Sequence, residues 1–250
     1  MDLNKTDLRK LQISMYHILK EVDRICTLHD INYSLAYGTL LGAIRHEGFI
    51  PWDDDLDIIM LREDYEKFLE ISNKELHKDF KLAHSGNHKD YFQVFSRVYL
   101  LKSTLVQECY QHLDMKQGIF IDVFPIDDVT PDNKKLKRQT SRINFLGRLR
   151  NIKLNLFGRD LLKVKVLRKI MNVFLLPVSL QTIMKAINKQ QQKYNGYNYE
   201  HVGYFKYGSY GLLSQRTWKK QDLQNVSRMK FEKLLFKVSS NWEKILSDTY

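Results

Sequence analysis

Cysteine is scarce in this chain of 250 residues, which contains only Cys26 and Cys109. Two cysteines are too few for a disulfide framework or for a zinc site built from thiolates, and they indicate a reducing compartment. Long apolar runs are absent too, since the most apolar window, 170–184, is interrupted by Pro177 and falls short of the roughly 20 residues that a membrane span needs. The N-terminus also lacks the basic start and apolar run of a signal peptide, so we expect a cytoplasmic protein.

Acidic residues are nearly missing from one stretch of the chain, and this explains its net charge of +11. Residues 131–193 contain 16 Lys or Arg and 2 Asp, whereas the remainder contains 24 basic and 27 acidic residues. Basic residues interleaved with Leu, Ile, Val and Phe predict amphipathic helices that contact the inner face of an anionic membrane, or else an ordinary solvated surface. Nucleic acid is disfavoured as a partner because no recognisable nucleic-acid-binding motif accompanies the charge.

The pattern of the first 130 residues predicts helices that alternate with strands. Apolar spacing of three and four residues predicts helices; these cover the segment that ends near Leu28, a short helix that starts after Gly38 and closes at Gly48, and residues 65–71. Short apolar runs predict strands, at 32–36, 56–60, 91–99, 103–106 and 118–123. We therefore expect an α+β fold in which a mixed sheet is flanked by helices.

The chain after Pro131 is predicted to be mainly helical. Gly147, Gly158 and Pro177 divide its basic part into three expected helices, and residues 221–247 again have a helical pattern. No internal repeat or flexible linker separates the two parts. We thus predict a catalytic core over 1–130, with a basic helical subregion and a C-terminal helix over 131–250 packed on it.

Four carboxylates within five residues form the most informative segment, Asp53, Asp54, Asp55 and Asp57. Such a cluster indicates either a solvated acidic loop or a divalent metal site, because like charges this close raise each other's pKa. The apolar continuation 58–60 favours the metal, since a carboxylate on a buried strand must be paired or coordinate something. In an extended chain Asp55 and Asp57 share a face and form the best pair for Mg²⁺ or Mn²⁺, while Asp54 points the other way.

A single carboxylate, Asp122, lies within the otherwise apolar run 119–124. Burying it without a partner would cost several kcal/mol. We expect it to face the same ion as Asp55 and Asp57, the alternative being a hydrogen bond with a neighbouring loop.

Residues that could hold a phosphate accompany the carboxylates. Tyr37, Gly38 and Thr39 stand where a strand turns into a helix, a place where backbone N–H groups and a hydroxyl can hold an anion, although such a turn is also an ordinary helix start. Arg45 on the following helix and Arg97 on a later strand are candidate clamps for a diphosphate; Arg97 could instead pair structurally with the aspartates.

Seven aromatic residues lie within residues 194–210. They are Tyr194, Tyr197, Tyr199, Tyr204, Phe205, Tyr207 and Tyr210. Aromatic rings bind a quaternary ammonium through cation–π attraction, so this loop could form a choline cage, or it could simply pack on the core.

The order of these segments, a Gly-Thr turn after a strand, then Asp-x-Asp on a strand and a lone Asp on a later strand, resembles the nucleotidyltransferase fold. The run YGTLLGAIRHEGFIPWDDDLDIIM at 37–60, followed by GIFIDVFPID at 118–127, resembles more specifically the LicD family of phosphocholine and related phosphotransferases. The fukutin-type enzymes are similar to that family.

This resemblance implies metal-dependent transfer of phosphocholine, or of glycerol or ribitol phosphate, from a CDP-linked donor to a sugar hydroxyl. The acceptor would be a lipid-linked or other glycan or teichoic acid precursor. Asp53, Asp55, Asp57 and Asp122 would be catalytic, with Asp55, Asp57 and Asp122 holding Mg²⁺ or Mn²⁺ and Asp53 a hypothetical general base. The alternatives are a true nucleotidyltransferase and a non-catalytic scaffold that binds a membrane or polyanion.

Overall fold

The computed structural model describes residues 4–88, 90–107, 118–154, 156, 177–205 and 217–250. Its α-helices are α1 (Lys5–Leu28), α2 (Tyr37–His46), α3 (Arg62–Glu75), α4 (Asn133–Leu154), α5 (Leu180–Gln191), α6 (Lys220–Gln224) and α7 (Trp242–Ser247). Its strands are β1 (Ser34–Leu35), β2 (Asp57–Leu61), β3 (Phe80–Ala83), β4 (Ser96–Leu100), β5 (Phe120–Asp128), β6 (His201–Gly203), β7 (Thr217–Lys219), β8 (Val226–Phe231) and β9 (Leu234–Ser239). The predicted α+β class is confirmed.

The main sheet is mixed, with the central order β1-β2-β5-β4-β3. Strands β2 and β5 run parallel, whereas β1, β4 and β3 each run antiparallel to the neighbour they pair with. Strand β6 extends the sheet from the end of β5, and β7 pairs with β6. The parallel pair places the starts of β2 and β5 side by side at the centre of the sheet.

Helix α1 begins where Asn4 caps it by accepting a hydrogen bond from the backbone N–H of Asp7. Its apolar stripe, which includes Met15, Ile18 and Val22, is buried in the main core. This core also contains both faces of the two central strands, whose residues are almost continuously buried. Helix α1 therefore packs against the sheet.

The second half of the chain completes the same core. Phe231, Phe236 and Val238 of the hairpin β8-β9 are fully buried in it, and the backbone N–H of Ser239 donates to Ser34 Oγ on β1 at 2.8 Å. A second, smaller apolar cluster joins α4 to α5 through residues such as Ile143 and Ile187. The β8-β9 hairpin is thus packed on the same core as α1 and the central strands.

Several predicted elements are wrong. The segment 221–247 contains the β8-β9 hairpin between two short helices, because its apolar residues also suit a two-stranded alternation and the tight turn at Glu232 (φ 59°) joins the strands. Gly147 lies inside α4 and does not end it, residues 103–106 form no strand, and β3 was not foreseen. Gly158 lies outside the described residues, as does the apolar window before Pro177.

Arg150 also departs from its expected place on a basic surface. Its side chain is buried, and its guanidinium donates to the carbonyl of Phe92 at 2.7 Å and lies near that residue's ring. Among the described residues, no helix is both long and apolar enough to cross a membrane.

Candidate active site

Asp57 and Asp122 occupy matching positions on the two parallel central strands. Neighbouring strands are about 4.8 Å apart, and residues that are partners in register project from the same face of a sheet. The structure therefore brings together two of the carboxylates that the sequence places 65 residues apart. Both side chains are half-buried, and the Oδ1 atom of Asp57 is shielded from solvent.

The backbone of Asp57 is held by Ala36, just before α2, and by Thr39 in the first turn of that helix. Its N–H donates to Thr39 Oγ1 at 2.9 Å, and its carbonyl accepts from the N–H of Ala36 at 3.0 Å. The Thr39 side chain is buried, with 1% of its surface exposed. The hydroxyl predicted to bind phosphate thus has a structural contact at the first residue of β2, and its role toward a substrate stays a prediction.

Asp122 is paired with Arg97, its register partner on β4. The Arg97 Nε atom donates to Asp122 Oδ1 at 2.7 Å, and the guanidinium carbon lies 3.7 Å from the centre of the Phe120 ring. Burial opposes the positive charge, but the adjacent Asp122 carboxylate outweighs it and the pKa of Arg97 is raised. The structural pairing considered for Arg97 is therefore present; a diphosphate contact stays a prediction.

The remaining carboxylates, Asp53, Asp54 and Asp55, form a cluster just before β2. Each offers a carboxylate oxygen, and these oxygens lie within 4.8 Å of one another. In the part of the chain that the structure describes, no other group of three or more His, Cys, Asp or Glu residues has potential metal ligands so close together. The expectation that Asp54 points away is wrong, because regular strand geometry begins only at Asp57 and the preceding residues are irregular. The carboxylate oxygens of Asp55, Asp57 and Asp122 do not all lie within this distance of one another.

Asp53 shows the electrostatic cost of the cluster. Its pKa is raised to about 7, first by burial and then by the neighbouring charge of Asp55, with which its side chain shares a hydrogen bond. The pKa of Asp55 is raised as well, by burial and by the charge of Asp54. Crowded carboxylates of this kind suit a hard divalent cation, which prefers oxygen ligands and would offset their repulsion.

The loop that carries the cluster is held against α1 and α2. The Gln12 side-chain amide on α1 donates to the carbonyls of Ile50 and Asp53 at 3.3 and 3.0 Å. A Cβ atom on Gly38 would lie only 2.7 Å from Asp53 Oδ2, so only glycine lets this carboxylate approach the first turn of α2 so closely. The Gly38 turn and the acidic run, separated by 15 residues, thus meet in the fold.

Tyr37 begins α2 in the left-handed backbone region, with φ of 48°. This conformation is strained for a residue other than glycine, and such strain is concentrated at functional sites. Arg45, by contrast, is exposed on the last turn of α2, roughly 10 Å along the helix from Gly38 at 1.5 Å per residue. Arg45 makes no hydrogen bond or ion pair with the carboxylates of the described residues, and its contact with a diphosphate stays a prediction.

An aromatic wall adjoins Asp122. The Phe124 ring lies 4.5 Å from Phe95, 4.9 Å from Tyr204 and 5.8 Å from Tyr37, measured between ring centres. Sequence reasoning singled out Tyr37 and Tyr204 but missed Phe95 and Phe124; the signal for Phe124 was its place two residues after Asp122, on the same strand face.

The predicted aromatic loop divides into separate groups. The rings of Tyr194, Tyr197 and Tyr199 contact one another, whereas Tyr204 contacts the wall just described. Phe205 is buried in the smaller core cluster. Tyr207 and Tyr210 lie outside the described residues.

Comparison with known proteins finds a matching family model and similar relatives. Residues 30–145 match a family model described as LicD/FKTN/FKRP, nucleotidyltransferase domain. The chain is 32% identical over 136 residues to the lipopolysaccharide cholinephosphotransferase LicD of Haemophilus influenzae, covering 53% of this chain and 49% of that protein. It is also 38% identical over 76 residues to an uncharacterized protein of Rickettsia typhi, covering 30% of this chain and 25% of that protein.

An uncharacterized protein of Rickettsia prowazekii is 47% identical over 55 residues, covering 22% of this chain and 21% of that protein. The matches thus span about half or less of the length of these curated relatives. Each match covers only part of the relative concerned.

Proposed function

We propose that this protein is a metal-dependent phosphotransferase, because residues 30–145 match the LicD/FKTN/FKRP nucleotidyltransferase-domain model. It transfers phosphocholine, or a related substituted phosphate such as glycerol or ribitol phosphate, from a CDP-linked donor to a sugar hydroxyl. The observation that carries the proposal is the convergence of Asp57 and Asp122 on adjacent parallel strands beside the Asp53–Asp55 cluster. The choice of phosphocholine rests on the relative named as a cholinephosphotransferase.

The carboxylates are proposed to have different roles in such a reaction. Asp55, Asp57 and Asp122 are proposed to hold Mg²⁺ or Mn²⁺, with the oxygens of Asp53 and Asp54 close to those of Asp55. When bound, a divalent ion would supply neutralisation of the negative charge on the donor's diphosphate. Arg97 keeps Asp122 in position and partly balances its charge.

The transfer itself exchanges one phosphorus–oxygen bond for another. The acceptor hydroxyl oxygen bonds to the phosphorus of phosphocholine, the bond from that phosphorus to the CMP oxygen breaks, and CMP leaves. The hydroxyl proton passes to a carboxylate, for which Asp53 is our candidate because it stands against the start of α2. Positioning and charge balance provide most of the rate in phosphoryl transfer.

A thermal-shift screen with Mg²⁺ or Mn²⁺ and a panel of CDP-linked compounds tests this function. We expect the metal to raise the melting temperature and CDP-choline to raise it further, and we expect Asp57→Asn to abolish both shifts. Asp30→Asn, which changes an exposed carboxylate elsewhere in a backbone conformation that asparagine tolerates, is the matched control. The absence of any metal shift in the wild type would favour the non-catalytic scaffold.

Asp53→Asn separates the proposed base from the metal ligands. We expect it to lose turnover while retaining metal and nucleotide affinity, since the amide cannot accept the proton. An equal loss of metal binding would refute the role of base. Phosphorus NMR of the product distinguishes transfer of phosphocholine from transfer of a nucleoside monophosphate, which the family description keeps as a second candidate.

Helix α4 is the basis for a proposed contact with an anionic membrane. It carries eight Lys or Arg and no Asp or Glu, although one of them, Arg150, is buried. Each basic residue near an anionic surface contributes about 1 kcal/mol, enough in sum to hold the protein at the face where a lipid-linked acceptor resides. Flotation with anionic vesicles at low salt should enrich the protein relative to neutral vesicles, and equal recovery would contradict the proposal.

A further inference from the structure

Trp52 is a large apolar side chain that the fold leaves in solvent directly before the acidic cluster. It is 76% exposed, whereas Trp218 is 2% exposed and Trp242 packs against the main core. Within the described residues, Trp52 belongs to neither of the two apolar clusters. A single exposed apolar residue is common on protein surfaces, so what matters is how Trp52 is held and which groups adjoin it.

The backbone around Trp52 is a turn that is tied at both ends. The N–H of Asp53 donates to the carbonyl of Ile50 at 3.0 Å, which closes a four-residue turn with Pro51 in the second position. Proline is favoured there because its ring fixes φ. The Gln12 amide donates to the carbonyls of the same two residues, Ile50 and Asp53, at 3.3 and 3.0 Å. Trp52, at the third position, is therefore presented from a fixed backbone.

The anchor of this turn is itself part of a buried network. Gln12 is 3% exposed, and its Oε1 atom accepts from Arg9 at 3.2 Å. Arg9 forms two hydrogen bonds with the Glu232 carboxylate, at 2.8 and 2.6 Å, and the N–H of Glu232 donates to the carbonyl of Glu47. A turn held in this way loses little conformational freedom when a ligand binds, which favours affinity.

Trp52 adjoins the group that we propose as the general base, Asp53. A base must come within about 2.6–3.2 Å of the hydroxyl that it deprotonates, so the acceptor lies against Asp53. The attacking and leaving oxygens of a phosphoryl transfer are roughly in line, so CMP departs on the side away from that base. The backbone of Trp52 is one residue, about 3.8 Å, from that of Asp53, which puts it on the acceptor side.

The charge next to Trp52 disfavours a membrane as the partner of its ring. Asp53, Asp54 and Asp55 follow it directly, and the last two are exposed. Such carboxylates are repelled by an anionic lipid surface. A neutral sugar meets no such repulsion, because its hydroxyls can donate to carboxylates while its apolar C–H face lies on an aromatic ring.

We propose that Trp52 is an acceptor-binding residue and that a pyranose ring of the acceptor stacks on its indole. This inference rests on the proposed function and narrows the acceptor to a cyclic sugar. An acyclic polyol such as ribitol or glycerol has no rigid apolar face to cover a flat ring, so it would gain much less from the contact.

Quenching of tryptophan fluorescence by acrylamide measures, on the full chain, whether a ligand covers Trp52. The other two tryptophans are less accessible to the quencher. The probes, each with Mg²⁺, are the methyl glycosides of glucose, galactose and N-acetylglucosamine, the polyols ribitol and glycerol, and separately CMP and phosphocholine. We expect at least one glycoside to lower the quenching constant, and we expect the polyols, CMP and phosphocholine to leave it unchanged.

Substitutions of Trp52 test the contact itself, with the dissociation constant of the protecting glycoside measured by saturation-transfer NMR. Trp52→Leu keeps an apolar side chain but removes the flat ring, so we expect binding to weaken roughly 5- to 30-fold. Trp52→Tyr keeps a ring and should lose at most about 3-fold. Phe145→Leu, which removes a 61% exposed aromatic ring from α4, is the matched control and should bind as the wild type does.

Four outcomes would overturn the inference. They are quenching that no glycoside lowers, equal protection by ribitol or glycerol, protection by CMP or phosphocholine alone, and wild-type glycoside affinity in Trp52→Leu.

Failure of the proposed function is recognised separately, because the wild type would then release no CMP from CDP-choline with metal in water, a reaction that needs no sugar. Release of CMP by a wild type whose Trp52 no glycoside protects would sink only the acceptor contact. Protection by a glycoside without that release would support the sugar contact and contradict the transfer reaction.

Discussion

The hydrogen bond between Thr39 Oγ1 and the backbone N–H of Asp57 should determine how precisely the central carboxylate is held. Replacing Thr39 by valine preserves the shape of the side chain but removes the acceptor. Because the site is buried, with 1% of Thr39 exposed, no water would replace the lost oxygen easily. The N–H of Asp57 would then be left without its partner at the first residue of β2.

The cost of that loss follows from the burial. An unsatisfied buried donor costs about 1–3 kcal/mol, and in a protein of this size each kcal/mol lowers the melting temperature by roughly 2–4 °C. We therefore expect Thr39→Val to melt roughly 2–12 °C lower than the wild type. Since phosphoryl transfer depends on positioning, we also expect a fall in kcat of at least about 10-fold per folded molecule.

Scanning calorimetry and steady-state release of CMP from CDP-choline measure the two effects. Thr39→Ser is the matched control, because it keeps the hydroxyl and loses only a methyl group, worth about 1 kcal/mol of burial. Its kcat should stay near that of the wild type. If Thr39→Val melts at the wild-type temperature and changes only the KM for the donor, Thr39 is a phosphate ligand and our structural reasoning is refuted.

Three further predictions concern charged and titratable groups. Arg97→Met leaves the Asp122 carboxylate without its cation, so we expect a loss of about 3–5 kcal/mol in urea unfolding, and an unchanged midpoint would contradict the ion pair's importance. The hydrogen bond from Arg9 lowers the pKa of the Glu232 carboxyl in the folded state. The stabilisation that this pair contributes is therefore present above the unfolded-state pKa of Glu232 and is lost as the pH falls through its folded-state pKa. Glu232→Gln should flatten the acid side of the curve of stability against pH, and a curve identical to that of the wild type would contradict this prediction. Cys26 is fully buried with a raised thiol pKa, so in a variant whose other cysteine is serine, iodoacetamide should react only after unfolding, and rapid native-state labelling would disprove that burial.

The local order of the first 75 residues could be predicted from the sequence because its elements have strong, regular signals. The apolar stripe of α1 and the Gly38 turn are examples, and the acidic run before β2 is a cluster of carboxylates in the structure too. The hairpin over 226–239 was missed because short apolar runs suit both helix and strand, and only the buried contacts with β1 and α2 select the strand.

In the candidate site, too, the local structure could be predicted from the sequence but the contacts between segments could not. Periodicity placed Asp57 and Asp122 each on a strand, but no local signal could say that these strands are neighbours, parallel and in register. The geometry within 53–55 was mistaken because an extended chain was assumed where the backbone is irregular.

By itself the sequence determined which residue types are present and which local segments they form: the carboxylates, the glycine turn and the basic stretch. Only the tertiary structure decided which of them meet, that Arg97 pairs with Asp122, that Arg45 is exposed, and that Arg150 is buried. The physical reason is that local propensity acts over a few residues, whereas strand register and burial are set by contacts between segments far apart in the chain.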